Sequence, residues 1–145
     1  IYWMASMTKP VVSAAIMKLV EDGDLKLDDE LSKFYPEFSD MLVAPGGSYD
    51  NTLEEAKIPI TLRHLISHTS GLTYGTNVTG VGDVARQYDE FGMMSCYGSG
   101  GKTLQEHIEV LAQLPLISHP GEAWNYSVGA GCALRWVRLN EQARC

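Results

Sequence analysis

Between positions 11 and 20, Val11, Val12, Ala14, Ala15, Ile16, Leu19 and Val20 recur three and four positions apart, the spacing that lines a helix face. The pattern predicts an α-helix over residues 6–22 that stops at Gly23, where a glycine can take the left-handed C-terminal conformation. Pro10 is compatible with it, because the first amides of a helix have no intrahelical acceptor to lose. Upstream, Ile1-Tyr2-Trp3-Met4 reads as the end of an extended segment. Downstream, residues 25–29 predict a tight turn and residues 31–36 a short helix ended by Pro36. Residues 43–57, rich in Gly, Asp and Asn around Pro45-Gly46-Gly47, predict a surface loop. Thr61 is a candidate N-cap for a second helix reaching about His68, and Thr69-Ser70-Gly71-Leu72 ends it. Residues 74–101 lack clean periodicity and predict a long excursion with one short helix over 84–88. Thr103-Leu104-Gln105-Glu106 is a capping box, and Leu104, Ile108, Leu111 and Leu114 carry a helix to Pro115. A turn at residues 119–122 then leads into an extended stretch over 123–127.

Composition narrows what this pattern can serve. At 145 residues and 45% hydrophobic, the chain can bury one core. It starts inside an apolar run with no initiator Met or leader, so it is expected to be a fragment. No run reaches the ~20 apolar residues of a membrane span. The net charge is −7, with acid gathered at residues 21–24 and 28–30, and no basic stripe interleaved with aromatics is present. Nucleic-acid binding is therefore not expected. Cys96, Cys132 and Cys145 are odd in number and widely spaced, which fits neither a zinc site nor a disulfide framework. Free thiols favour a cytoplasmic location over a periplasmic or secreted one.

The candidate chemistry lies at the start of the first helix. Ser6-Met7-Thr8-Lys9 sets a hydroxyl and an amine three residues apart on one helical face, so Lys9 can reach the Ser6 oxygen and activate it as a nucleophile. Taken alone, Ser6 also reads as a helix cap and Lys9 as a solvated side chain. A second Ser-x-x-Lys at Ser99 to Lys102 falls in a glycine-rich run that would not hold its side chains in register. That run is no phosphate loop either, since Cys96 stands where the first glycine should be. His64 and His68 stand four apart without the glutamate of a zinc-protease motif, so both are read as structural.

Three blocks in order, Ser6 to Pro10, Ile60 to Leu72 and Pro120 to Gly129, resemble the serine β-lactamase-like hydrolases. The resemblance is closest to the class C-like branch with the family VIII carboxylesterases. It implies an α/β multi-part fold of the β-lactamase and penicillin-binding-protein kind, of which this chain is a mostly helical fragment lacking most strands of the sheet. Residues 1–129 would be the hydrolase part, and 130–145 a divergent or frame-shifted tail. The resemblance makes Ser6 the acylated nucleophile, Lys9 the amine of its proton network and Tyr126 the phenol of the second motif, with Lys9 and Tyr126 both open as the formal base. A neighbouring ammonium would bring the Tyr126 phenol below its usual value of about 10. Trp124 is a candidate wall of the acyl pocket, and equally a buried aromatic.

Two departures bear on substrate. The family's lactam- and peptide-acting members usually carry Asn two residues after the tyrosine, where this chain has Val128. A third motif of the Lys-Thr-Gly type, with its oxyanion donor, has no counterpart after Tyr126. The expectation is a serine hydrolase acting on short-chain carboxylic esters, a small-molecule substrate, with no metal or cofactor. Alternatives are a β-lactamase or D-alanyl-D-alanine carboxypeptidase, and a non-catalytic penicillin- or peptidoglycan-binding module.

Overall fold

Helix α1 spans Thr8–Glu21 and follows a 3-10 turn over Ala5–Met7. These elements belong to a computed structural model that describes residues 4–50, 52–93 and 101–129. Residues 1–3, Ser99 and Gly100 of the second motif copy, the three cysteines and the tail 130–145 lie outside the described residues. The predicted helix of residues 6–22 is thus divided: Ser6 sits in the tighter turn, where Met7 N–H donates to the Met4 carbonyl at 2.9 Å. The far end stops where predicted. Gly23 takes φ +81° and its N–H bonds to the Val20 carbonyl at 3.1 Å.

Helix α2, Leu62–Ile66, begins with a reciprocal cap. Thr61 Oγ1 accepts from His64 N–H at 3.4 Å, and His64 Nδ1 accepts from Thr61 N–H at 3.1 Å. Helix α3 runs over Gly82–Glu90, longer than the predicted 84–88. Helix α4, Leu104–Leu111, starts on the predicted capping box, in which the Thr103 hydroxyl and the Glu106 carboxylate each bond the other's N–H.

The segment predicted as a surface loop is partly interior. Strands β1, Leu42–Val43, and β2, Glu54–Glu55, pair antiparallel with Leu42 opposite Glu55. Val43 also bridges Leu116 in parallel, and Ala44 N–H donates to the Leu116 carbonyl at 2.7 Å. Val43 and Ala44 are buried, so the glycines after them make the turn back rather than an exposed excursion. A single apolar cluster joins Val12 and Ile16 of α1, Leu62 and Leu65 of α2, Val84 and Tyr88 of α3, and Ile108 and Leu111 of α4. Burying side chains of this size contributes about 1.5–3 kcal/mol each. That core fixes the start of α1 against the segment after α2.

Candidate active site

Ser6 enters the site from a constrained turn. Ala5 holds φ +44°, a left-handed value uncommon for a residue with a Cβ. One turn into α1, Lys9 Nζ donates to Ser6 Oγ at 3.3 Å and to the Tyr74 hydroxyl at 3.1 Å. From 120 residues away, the Tyr126 hydroxyl reaches Ser6 Oγ at 2.6 Å. The ammonium also lies over the Tyr126 ring, 4.6 Å from its centre. Ser6, Lys9 and Tyr126, named from the sequence as catalytic candidates, are thus brought together.

Two segments are stitched to present the tyrosines. Beyond α2, His68 takes φ +59° and Gly71 φ +81°, and the backbone then straightens through Leu72 to deliver Tyr74. The stretch around Tyr126 lies along it: Asn125 N–H donates to the His68 carbonyl at 2.8 Å, and Asn125 Nδ2 donates to the Leu72 carbonyl at 2.9 Å. Ser127 N–H donates to His68 Nδ1 at 3.2 Å. A ring nitrogen that accepts an N–H carries no proton, so the His68 imidazole is neutral here. Burial and the nearby Lys9 charge both hold its pKa below the usual histidine value. The His68 ring packs on Tyr126 with centroids 4.8 Å apart, and the Tyr74 ring flanks Tyr126 at 5.7 Å.

The electrostatics follow from this packing. Burial alone would raise the Tyr126 phenol, but the Lys9 and Ser6 hydrogen bonds and the Lys9 charge outweigh it and hold the pKa below its usual value. Burial alone would lower Lys9, yet the Tyr126 and Tyr74 hydroxyls outweigh that and hold the amine above its usual value. Both shifts favour an ammonium facing a phenolate. Ser6 itself is exposed.

Trp124 is 68% exposed within this chain. Its indole stands 6.5 Å from the Tyr126 ring and 6.2 Å from His68, edge-on. Val128 is buried in the main apolar cluster, and its side chain carries no polar group. The sequence reading missed Tyr74, Asn125 and the seat of His68 against Tyr126. Tyr74 lies in the non-periodic segment two residues after Leu72, and the only signal was a phenol just past the Ser70-Gly71-Leu72 turn. His64, by contrast, serves the helix cap as a structural reading requires. No group of three or more His, Cys, Asp or Glu among the described residues could hold a metal ion.

A serine and a lysine three residues apart at the start of a helix, met by a tyrosine from 120 residues away, is an arrangement that fits the serine β-lactamase-like hydrolases. The chain belongs to the β-lactamase family, whose model matches residues 1–137. It has esterase and acyltransferase relatives. The esterase EstB of Burkholderia gladioli is 34% identical over 128 residues, covering 88% of this chain and 29% of the esterase. Among solved structures, EstCE1, described as a hydrolase with promiscuous acyltransferase activity, superposes with TM-score 0.67 at 30% identity over 92% of this chain and 32% of its own. Simvastatin synthase (LovD) from Aspergillus terreus superposes with TM-score 0.62 at 28% identity, over 92% of this chain and 31% of its own. The chain therefore spans about three tenths of the length of the relatives it matches.

Proposed function

We propose that this chain carries the nucleophile-bearing part of a serine esterase that hydrolyses short-chain carboxylic esters through an acyl-Ser6 intermediate. The carrying observation is the 2.6 Å contact between Tyr126 and Ser6 Oγ beside the Lys9 ammonium. In the reactive form the Tyr126 phenolate accepts the Ser6 proton while Ser6 Oγ bonds to the ester carbonyl carbon. As the tetrahedral adduct collapses, the alkoxide leaves and takes that proton from Tyr126. Water then attacks the acyl-Ser6 carbonyl, gives its proton to Tyr126, and the acid departs as Ser6 recovers a proton. Lys9 stays charged throughout and stabilises the phenolate. The Ser6 N–H, at the start of the helical segment, would be one oxyanion donor. Trp124 would form an apolar wall of the substrate site. The buried Val128 supports esters over lactams or peptides, since it offers no amide to hydrogen-bond them.

The test is turnover of p-nitrophenyl butyrate by the complete protein carrying this chain. Activity is expected, and Ser6→Ala should lower it by about a thousandfold or more. Unchanged activity in that variant overturns the assignment. Hydrolysis of a chromogenic cephalosporin with poor ester turnover would favour a β-lactamase, and a lasting Ser6 adduct without product release a binding module. The acyltransferase relatives support one extension: an added alcohol should compete with water for the acyl group, so butanol is expected to divert p-nitrophenyl butyrate to butyl butyrate.

A further inference from the structure

Lys9 is a flexible four-carbon chain whose ammonium must be held against Tyr126 to act on it, and α1 alone does not hold it. The groups facing it come from three segments: Ser6 on the turn before α1, Tyr74 and His68 on the stretch after α2, and Tyr126 on the late extended stretch. His68 is neutral and offers Lys9 no charge. Among the described residues no carboxylate pairs with Lys9 as a salt bridge. Ser6 Oγ already accepts from Tyr126 at 2.6 Å, against 3.3 Å from Lys9. Of the bonds that Lys9 donates to Ser6 and to Tyr74, the shorter goes to the Tyr74 hydroxyl, at 3.1 Å.

We propose that Tyr74 is a positioning residue: its hydroxyl accepts a hydrogen bond from Lys9 and keeps the ammonium over the Tyr126 ring and beside the Tyr126–Ser6 contact. Tyr74 does not touch the reacting atoms; it acts through Lys9. Its place is itself built in. The Tyr74 ring packs on Tyr126, and a Cβ at Gly80 would lie 1.9 Å from the Tyr74 carbonyl, so this backbone is closely hemmed. Without the acceptor, Lys9 gains freedom to leave Tyr126, and the phenol ionises at higher pH. The loss would then fall on the acid side of the rate profile, where too little phenolate is present, and would disappear once the medium supplies it.

This inference rests on the Ser6 esterase reading, so the experiment separates the two. The pH profile of kcat/KM for p-nitrophenyl butyrate is measured on the complete protein, its Tyr74→Phe and Tyr74→Leu variants, alongside thermal melting and labelling of Ser6 by a fluorophosphonate. Neither replacement offers an acceptor, so a folded example of either one suffices. Expected is an acid limb moved up by about one pH unit, a loss of about tenfold at neutral pH regained in alkali, and KM little changed. An acid limb in the parent's position overturns the proposal, and so does a loss equal at every pH, the signature of a structural role. Failure of the parent to label at Ser6 overturns the esterase reading itself.

Discussion

Ala5 is the one residue beside the proposed nucleophile whose backbone is held against its own preference. Its φ of +44° costs a residue with a Cβ about 1–2 kcal/mol, and it aims the turn that exposes Ser6 before α1 begins. A β-branched side chain tolerates that conformation less well. Ala5→Val should therefore destabilise the protein by about 1–3 kcal/mol in urea denaturation. If the turn relaxes, it should also slow Ser6 labelling. The sequence could not reveal this, because alanine carries no signal of a positive φ. The Ser6–Lys9 contact was legible, since its partners are three apart and helix geometry supplies the distance. Tyr126 was reached only through the resemblance of its block. Tyr74 was not reached, and His68 was read as structural without its partner on the Tyr126 stretch. Each acquires its part from a partner on a distant segment, Lys9 at 65 residues for Tyr74 and Ser127 at 59 for His68.

Elements were legible where their signals are local. Gly23, the Thr61 cap and the Thr103 capping box announce ends of α1, α2 and α4 in the few residues that form them. Strands β1 and β2 were not, because two-residue strands carry no period, and Val43 is buried by a partner, Leu116, that is remote in sequence. The face of α1 was also illegible. Val12 and Ile16 are buried while Met7, Val11 and Met17 are exposed, so apolar residues on several sides give a helix without saying which side is inward. The junction after α2 rests on a local feature with a remote cause. At Gly71, φ is +81° and a Cβ would lie 2.2 Å from the Ser118 carbonyl oxygen. The Gly71 carbonyl accepts from Ile117 N–H at 2.8 Å, so the two backbones cannot simply part. Gly71→Ala should cost about 2–4 kcal/mol, from the left-handed backbone and the overlap together. Because this junction delivers Tyr74, the same variant should lose activity at temperatures where it is still folded.

At the scale of the whole molecule, one neutral histidine caps α2 and another joins the segment after α2 to the Tyr126 stretch, and this makes stability depend on acid. His64 Nδ1 accepts from Thr61 N–H, and His68 Nδ1 from Ser127 N–H; protonating either nitrogen removes the acceptor and leaves a backbone donor unpaired. Burial lowers both pKa values, with Arg63 adding to the effect on His64 and Lys9 to that on His68. With the folded pKa below the unfolded value of about 6.5, the unfolded chain takes the proton first. Stability should then fall as pH drops below about 6.5, and that loss is complete only below the folded values. Asp29 adds a second, more acidic step. Burial raises it, but the Lys26 N–H and the Lys33 ammonium outweigh that and hold it below its usual value, so its contribution is present above about pH 4 and lost as pH falls through the folded pKa. Melting temperature against pH should accordingly decline in two stages. His64→Asn separates them, because the Asn carbonyl can accept from Thr61 N–H yet does not titrate. The variant should lose part of the decline below pH 6.5 and keep the step near pH 4. A variant curve parallel to the parent's would show that the cap histidine does not link acid to unfolding.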